Sequence, residues 1–235
     1  MPVDLRFSVL TNFYGDHPNL ARRLLAKIGQ PDRPYRLLIG LSECCQGTVE
    51  AARQAAPDVL LECRGNANKD PTMRVLLDLA TTPYILWLDD DVVLLDGWAE
   101  AVADFLAATR GEFDVAGYAR TFERSSQYLR FLKQRPWYTG RPLQNVSVFP
   151  QGSVWMARTD YLLAHNYPDR AMVKKLDDVL LGDMIWQTGG RFVEFPDALK
   201  ALAPRAATAR RGSGEDDDGW KMLDDIPPAL PSGRW

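Results

Sequence analysis

Between Tyr84 and Asp96 the chain changes character abruptly: Tyr84-Ile85-Leu86-Trp87-Leu88 is apolar or aromatic throughout, and Asp89-Asp90-Asp91 follows with no spacer. Five such residues in a row predict a strand buried on both faces, the kind found inside a parallel sheet. Strand side chains alternate, so Asp89 and Asp91 are expected on one face and Asp90 on the other. Three like charges at the end of a hydrophobic strand are costly unless a cation is held there. Hard divalent cations such as Mg2+ or Mn2+ take one or two carboxylates together with substrate phosphates. A solvated turn whose aspartate caps the next helix is the plainer account of an isolated acidic triplet. The hydrophobic run before this one favours the metal reading.

The 235 residues suit one large domain, or one domain with a tail. Apolar residues make up 46%, enough for a real core, and the 25% that are charged are ordinary for a soluble protein. A net charge of −3 offers no general attraction to nucleic acid or anionic lipid. The longest apolar stretch, around Ile85 to Leu88, is far short of a membrane span. Asp4 and Arg6 interrupt the apolar pattern of Met1 to Leu10, which argues against a signal peptide. Cys44, Cys45 and Cys63, odd in number and with two adjacent, make neither a disulfide framework nor a zinc site. A cytoplasmic protein is expected.

Read in order, Leu5 to Leu10 predicts a strand and Thr11 to Asp16 the loop leaving it. Pro18 suits a first helical turn, and Leu20, Leu24, Leu25 and Ile28 mark one apolar face. Tyr35 to Leu41 is a second strand, Ser42 to Gly47 a loop, Thr48 to Ala56 a helix and Asp58 to Cys63 a third strand. Arg64 to Lys69 is a polar loop. Asp70-Pro71 then reads as a helix start, with Asp70 as cap and Pro71 at the first helical position. After the central strand, Trp98, Val102, Phe105 and Leu106 supply the buried face of the next helix. This strand–helix alternation predicts a parallel α/β layer whose ligands sit beyond the carboxyl ends of the strands.

The second half is less regular. Phe113 to Tyr118 reads as a strand. Thr121 to Arg141 interleaves Arg124, Arg130, Lys133 and Arg135 with Tyr128, Phe131, Trp137 and Tyr138. That pattern fits a nucleic acid or a sugar phosphate, and it fits equally a surface helix with one packed face. Asn145 to Ala157 contains strand-like pieces around Gly152. Leu176 to Trp186 predicts a helix closed by Gly189-Gly190, with Asp177 and Asp178 in its first turn. Capping explains one acid there and leaves the other for chemistry. Arg191 to Phe195 returns as a strand that Pro196 ends, and the remainder reads as a tail.

Two blocks then carry a resemblance. Ala80-Thr81-Thr82-Pro83-Tyr84-Ile85-Leu86-Trp87-Leu88-Asp89-Asp90-Asp91 resembles the block ending in the DxD motif of the GT-A glycosyltransferases, in particular glycosyltransferase family 2. Gly152-Ser153-Val154-Trp155-Met156-Ala157-Arg158, followed by Leu176-Asp177-Asp178-Val179-Leu180-Leu181-Gly182, resembles that family's acceptor-side strand and E-D-x-x-L-G helix start. The match covers roughly Leu5 to Pro196. It implies a Rossmann-like GT-A fold, a mixed but mainly parallel sheet flanked by helices. Residues 1–204 would form the domain, split into a nucleotide-sugar half (1–108) and an acceptor half (109–204), with 205–235 a flexible tail or lid.

The resemblance further implies an inverting, metal-dependent transfer from a nucleotide-sugar donor, with UDP as the expected carrier. Mn2+ or Mg2+ would sit at Asp91, with Asp89 sharing it. Thr11, Asn12, Ser42, Glu43, Asn68, Arg74, Asp89 and Asp90 would bind the donor. Gly152, Ser153 and Trp155 would face the acceptor, and Asp178 would be the catalytic base, with Asp177 as the alternative. The first loop lacks the family's Pro-Thr-Tyr-Asn. Ser42-Glu43-Cys44-Cys45 stands where the family carries the Asp that commonly reads the nucleobase, and no late His joins the acids. The acceptor, whether glycan, protein, small molecule or modified nucleic acid base, is not legible. A sugar-nucleotide nucleotidyltransferase competes, but Thr11 to Asp16 lacks a Gly-rich basic loop for triphosphate. A non-catalytic binding module also competes, though it has no need of a spare acid at Asp178.

Overall fold

A computed structural model of the chain describes residues 6–15, 17–63, 69–169 and 176–202. Asn68, the 64–68 loop and the tail beyond 202 lie outside the described residues. The first half alternates as expected: β1 (Phe7–Tyr14), α1 (Pro18–Ile28), β2 (Arg36–Ser42), α2 (Gln46–Gln54), β3 (Val59–Cys63), α3 (Lys69–Asp78), β4 (Tyr84–Asp89) and α4 (Trp98–Thr109). The second half adds β5 (Val115–Glu123), α5 (Ser126–Leu132), β6 (Val146–Arg158), α6 (Thr159–Ala164), α7 (Asp177–Thr188), β7 (Phe192–Glu194) and α8 (Asp197–Leu202).

The strands make one seven-stranded sheet in the order β3-β2-β1-β4-β6-β5-β7. β1, β2, β3 and β4 pair in parallel, β6 runs antiparallel between β4 and β5, and β7 is parallel to β5. Alternation along the strands splits the core into two layers. Phe7, Val9 and Phe13 of β1 and Leu86 and Leu88 of β4 pack with α1, α2 and α4. Leu10, Ile85 and Trp87 pack on the opposite face with α3, α5, α6 and α7. Helix α1 begins at Pro18 and buries Ala21, Leu24, Leu25 and Ile28, a stripe at helical spacing.

Several boundaries differ from the sequence expectation. β1 runs on to Tyr14, so Thr11 and Asn12 are strand residues and the loop begins at Gly15. The cause is register: Thr11 pairs with Ile39 and Leu88, and Asn12 with Gly40 and Asp89, so both flanking strands carry the ladder forward. α3 starts at Lys69, which puts Asp70 inside the first turn instead of at a cap. β5 extends to Glu123 because the pieces expected around Gly152 form one 13-residue strand, β6, that pairs along its length.

The basic–aromatic segment is structural. Tyr128, Phe131 and Trp137 are buried, Arg124 pairs with Asp183, and Arg135 bonds Asp169 at 3.1 and 3.2 Å. Two of its guanidiniums are thus spent on buried carboxylates, while Arg130 and Lys133 stay exposed. Among the described residues no helix is long and apolar enough to cross a membrane.

Candidate functional site

The strand order reverses between β1 and β4, since β2 and β3 lie to one side of β1 and β4 to the other. Ligands of open α/β sheets gather at such a switch point, beyond the carboxyl strand ends. Asn12 and Asp89 are register neighbours there. Antiparallel β6 completes the edge: Val154 pairs with Leu88, so Gly152 and Ser153 reach past the end of β4 toward its acids.

At this edge the two acidic blocks meet around a cation that the sequence reading passed over as loop. Lys69 Nζ lies 2.9 Å from Asp89 Oδ1 and 2.9 Å from Asp177 Oδ2, joining β4 to the start of α7. Trp87 Nε1 donates to the same Asp89 Oδ1 at 2.9 Å, and the ammonium stands 5.3 Å from the Trp87 ring centre. Burial works against the charge on Lys69, but Asp177 and Asp89 outweigh it and hold the ammonium well above the ordinary lysine range. A signal was available. Lys69 directly precedes a strong helix-start pair at the functional edge, where a cation faces the acids of β4.

Asp178 is held differently. Its Oδ2 accepts from Gly152 N at 3.2 Å and its Oδ1 from Val179 N at 2.9 Å. A Cβ on Gly152 would stand 3.1 Å from Asp178 Oδ2, so glycine is what lets the carboxylate approach the strand backbone. Burial first, and the charge of Asp177 second, push Asp178 up to about 7, against the pull of Lys69 and the Val179 N–H. Asp70 is 2% exposed, and among the described residues neither of its oxygens has a hydrogen-bond partner. Burial and Asp177 push it up to about 8.

The other expected donor residues separate. Asn12 and Ser42 are buried and joined at 3.4 Å, and Ser42 also meets Thr72 at 3.3 Å, a polar layer under the cleft. Thr11 lies on the opposite sheet face from Asn12, wholly buried, which keeps it from a ligand. Glu43 is exposed in the turn after β2 at φ 51°. Arg74 turns away from the cluster toward Asn166, 2.9 Å distant, and Asp78. Trp155 is buried against Trp87, their rings 6.3 Å apart, so it supports the site from beneath instead of lining it.

β4 ends at Asp89, so Asp90 and Asp91 belong to a turn and the alternation expected for a strand stops before them. Asp90 is half-buried and is felt electrostatically by Cys44 of the loop after β2, whose thiol burial chiefly pushes up to about 11. Asp91 is 4% exposed. Among the described residues no three His, Cys, Asp or Glu side chains come together to hold a metal. Asp91 is a hard-oxygen donor of the kind that Mg2+ or Mn2+ takes together with phosphates and water. Asp89 is already engaged by Lys69 and Trp87.

No family model and no curated protein matches the chain. Solved structures do. A mannosyltransferase, PcManGT of Pyrobaculum calidifontis in complex with GDP-Man and Mn2+, superposes with a TM-score of 0.59 at 18% identity, over 90% of this chain and 62% of that one. TarS of S. aureus superposes with a TM-score of 0.57 at 15% identity, over 82% of this chain and 35% of that one. Its 1–349 form gives 0.54 at 14% identity, over 82% of this chain and 58% of that one. This chain thus spans less than two thirds of each of these three structures. What these similarities establish is architecture: the chain has the GT-A glycosyltransferase fold.

Proposed function

We propose that the protein is an inverting glycosyltransferase that moves a sugar from a nucleoside diphosphate to an acceptor hydroxyl. The observation that carries this is the convergence of two acidic blocks, far apart in sequence, on one cluster at the switch point: Asp89 and Asp177 on Lys69, with Asp178 alongside. A domain that only bound sugar would not require a half-buried carboxylate pushed up to about 7 beside that pair.

Asp178 is the base. It takes the acceptor O–H proton as the acceptor oxygen attacks the anomeric carbon, and the carbon–oxygen bond to the diphosphate breaks on the opposite face with its electron pair. The two backbone N–H groups on Asp178 fix its orientation, and its raised proton affinity suits a base working near neutral pH. Asp177, tied to Lys69, is the weaker candidate. A divalent cation at Asp91, when bound, would neutralise charge on the departing diphosphate.

Glu43, exposed beside the nucleotide edge, is placed to accept hydrogen bonds from a nucleobase. UDP is the carrier that the sequence resemblance implies, whereas the mannosyltransferase structure holds GDP-Man, so guanosine and uridine donors both belong in the test. That test is calorimetry with GDP and UDP, with and without Mn2+, followed by turnover of GDP- and UDP-sugars and determination of the product anomer. Mn2+-dependent binding of one nucleotide and an inverted anomer are expected. Retention of configuration would remove Asp178 from its role.

A further inference from the structure

A cavity of about 340 Å³ lies on the far half of α7, between that helix and the outer part of β6. Neither Lys69 nor Asp89, Asp177 or Asp178 lines it. From Asp178 to Trp186, which does, the helix advances about 12 Å. Cavities of this size hold small organic ligands. Its walls are of two kinds. Val146 and Val148 project from β6 at 37% and 52% exposure, and Ile185 and Phe192 continue the apolar surface. Arg124, Arg141 and Asp183 supply the charge, with one positive in excess, because Asp183 matches Arg124 alone.

Arg141 is the cation left over. It sits between α5 and β6 in a stretch with no regular structure, yet its backbone is clamped. Gln187 Oε1 accepts from Arg141 N at 3.1 Å, and Gln187 Nε2 donates to Arg141 O at 2.8 Å. The guanidinium lies 4.1 Å from the centre of the Trp186 ring and donates one N–H to Trp186 O at 2.8 Å. Trp186 is fixed in turn, its Nε1 donating to Pro142 O at 2.8 Å. No carboxylate pairs with Arg141 among the described residues, so most of its N–H groups remain for a ligand.

Arg124 adds to this. Of its five N–H hydrogens, three go to Asp183 and to the Gln144 carbonyl, which leaves one on each terminal nitrogen. The side chain is 3% exposed, and a buried N–H without an acceptor is costly. An inorganic anion would answer the guanidiniums and leave the valines in water. A neutral hydrocarbon would cover the valines and leave the guanidiniums unanswered. A ring or short chain carrying one carboxylate, sulfonate or phosphate meets both demands.

We propose that this cavity binds a small organic anion with an apolar body, Arg141 receiving the anion and Trp186, Val146 and Val148 covering the body. The site is separate from the nucleotide edge, and the proposal does not depend on the glycosyltransferase reading. Gln187 and Trp186 hold Arg141 in place before a ligand arrives, so little ordering entropy opposes binding.

The probe is anilinonaphthalene sulfonate, an aromatic body with one anion whose fluorescence rises on burial. Its control is N-phenylnaphthylamine, the same ring system without the sulfonate. Titrated into the folded chain, the sulfonate should saturate at one molecule per chain, and UDP or GDP with Mn2+ should not displace it. Arg141→Met should weaken the sulfonate about ten- to a hundredfold, the range for hydrogen bonds to charged groups, and move the amine less than about threefold. Val148→Asp, a change at an exposed position, should weaken both probes by setting a carboxylate in the apolar wall. Thermal melts verify that each variant is folded. Absence of saturable binding, displacement of the sulfonate by nucleotide, or equal loss of both probes in Arg141→Met overturns the proposal. So do folded Arg141→Met and Val148→Asp variants that bind the sulfonate as wild type does.

Discussion

Asp178 and Asp177 are adjacent in sequence and separated by environment. Asp178 is gripped by the N–H groups of Gly152 and Val179, and Asp177 by the Lys69 ammonium. Asp178→Asn should therefore keep nucleotide affinity and lower transfer by about 10²–10⁴-fold, the usual worth of a placed base; single-turnover assays beside calorimetry check this. Because burial raises Asp178 to about 7 and the base must be ionised to act, turnover should climb with pH through about 7 on its acid limb. The same groups set the pH dependence of stability. Asp70 and Asp178 are raised above the ordinary carboxylate value of 3.8, so the native state holds protons the unfolded chain has released. Their contribution is complete below about 4 and is lost as pH rises through about 7 to 8. Melting temperature should fall across that window from this source, and Asp70→Asn should flatten the fall; an unchanged pH profile in that variant would refute the assignment.

At the scale of elements, α7 is positioned by a close approach and a buried charge network. A Cβ on Gly182 would stand 2.3 Å from Val148 O and 2.5 Å from Phe149 Cβ, so the helix rests directly on β6. Gly182→Ala should cost about 1–3 kcal/mol by overpacking and tilt the helix that carries Asp177 and Asp178. Urea midpoint and turnover should fall together. The next residue, Asp183, is wholly buried and receives the Arg124 guanidinium, Ser147 Oγ at 2.9 Å and Tyr128 OH at 2.5 Å. Arg124→Met would strand that carboxylate and should cost about 3–5 kcal/mol, readable by denaturant titration. Replacing Arg124 and Asp183 together with apolar residues should recover part of the loss, since the pair is no longer half broken.

For the molecule as a whole, the sheet brings the end of β4 and the start of α7 to one edge, where Lys69 pairs with an acid of each. Asp91, the metal ligand of the proposed function, lies at that edge in the turn after β4. Asp91→Ala should abolish the Mn2+ dependence of nucleotide binding, and because Asp91 is 4% exposed it should also lower the melt of the unliganded protein somewhat. Calorimetry with and without EDTA reads the first and differential scanning the second. Unchanged Mn2+-dependent affinity in Asp91→Ala would place the metal elsewhere.

Much of this was legible in the chain itself. The apolar run ending in three acids located β4 and its edge, the strand–helix alternation specified the parallel half, and the paired acids before Val179 marked the start of α7, because periodicity and abrupt charge are local properties of sequence. What the tertiary structure decided depends on partners distant in the chain. Thr11 and Asn12 became strand because β2 and β4 extend the ladder on either side of them. Arg124 and Arg135 became internal because Asp183 and Asp169 lie opposite. Lys69 read as loop and came to bridge Asp89 and Asp177 because α3 begins at Lys69, two residues before the expected first helical position. Which of two adjacent aspartates is paired with a cation, and which is left to take a proton, is set by the strand and lysine that fold against them, and no pattern within the helix records it.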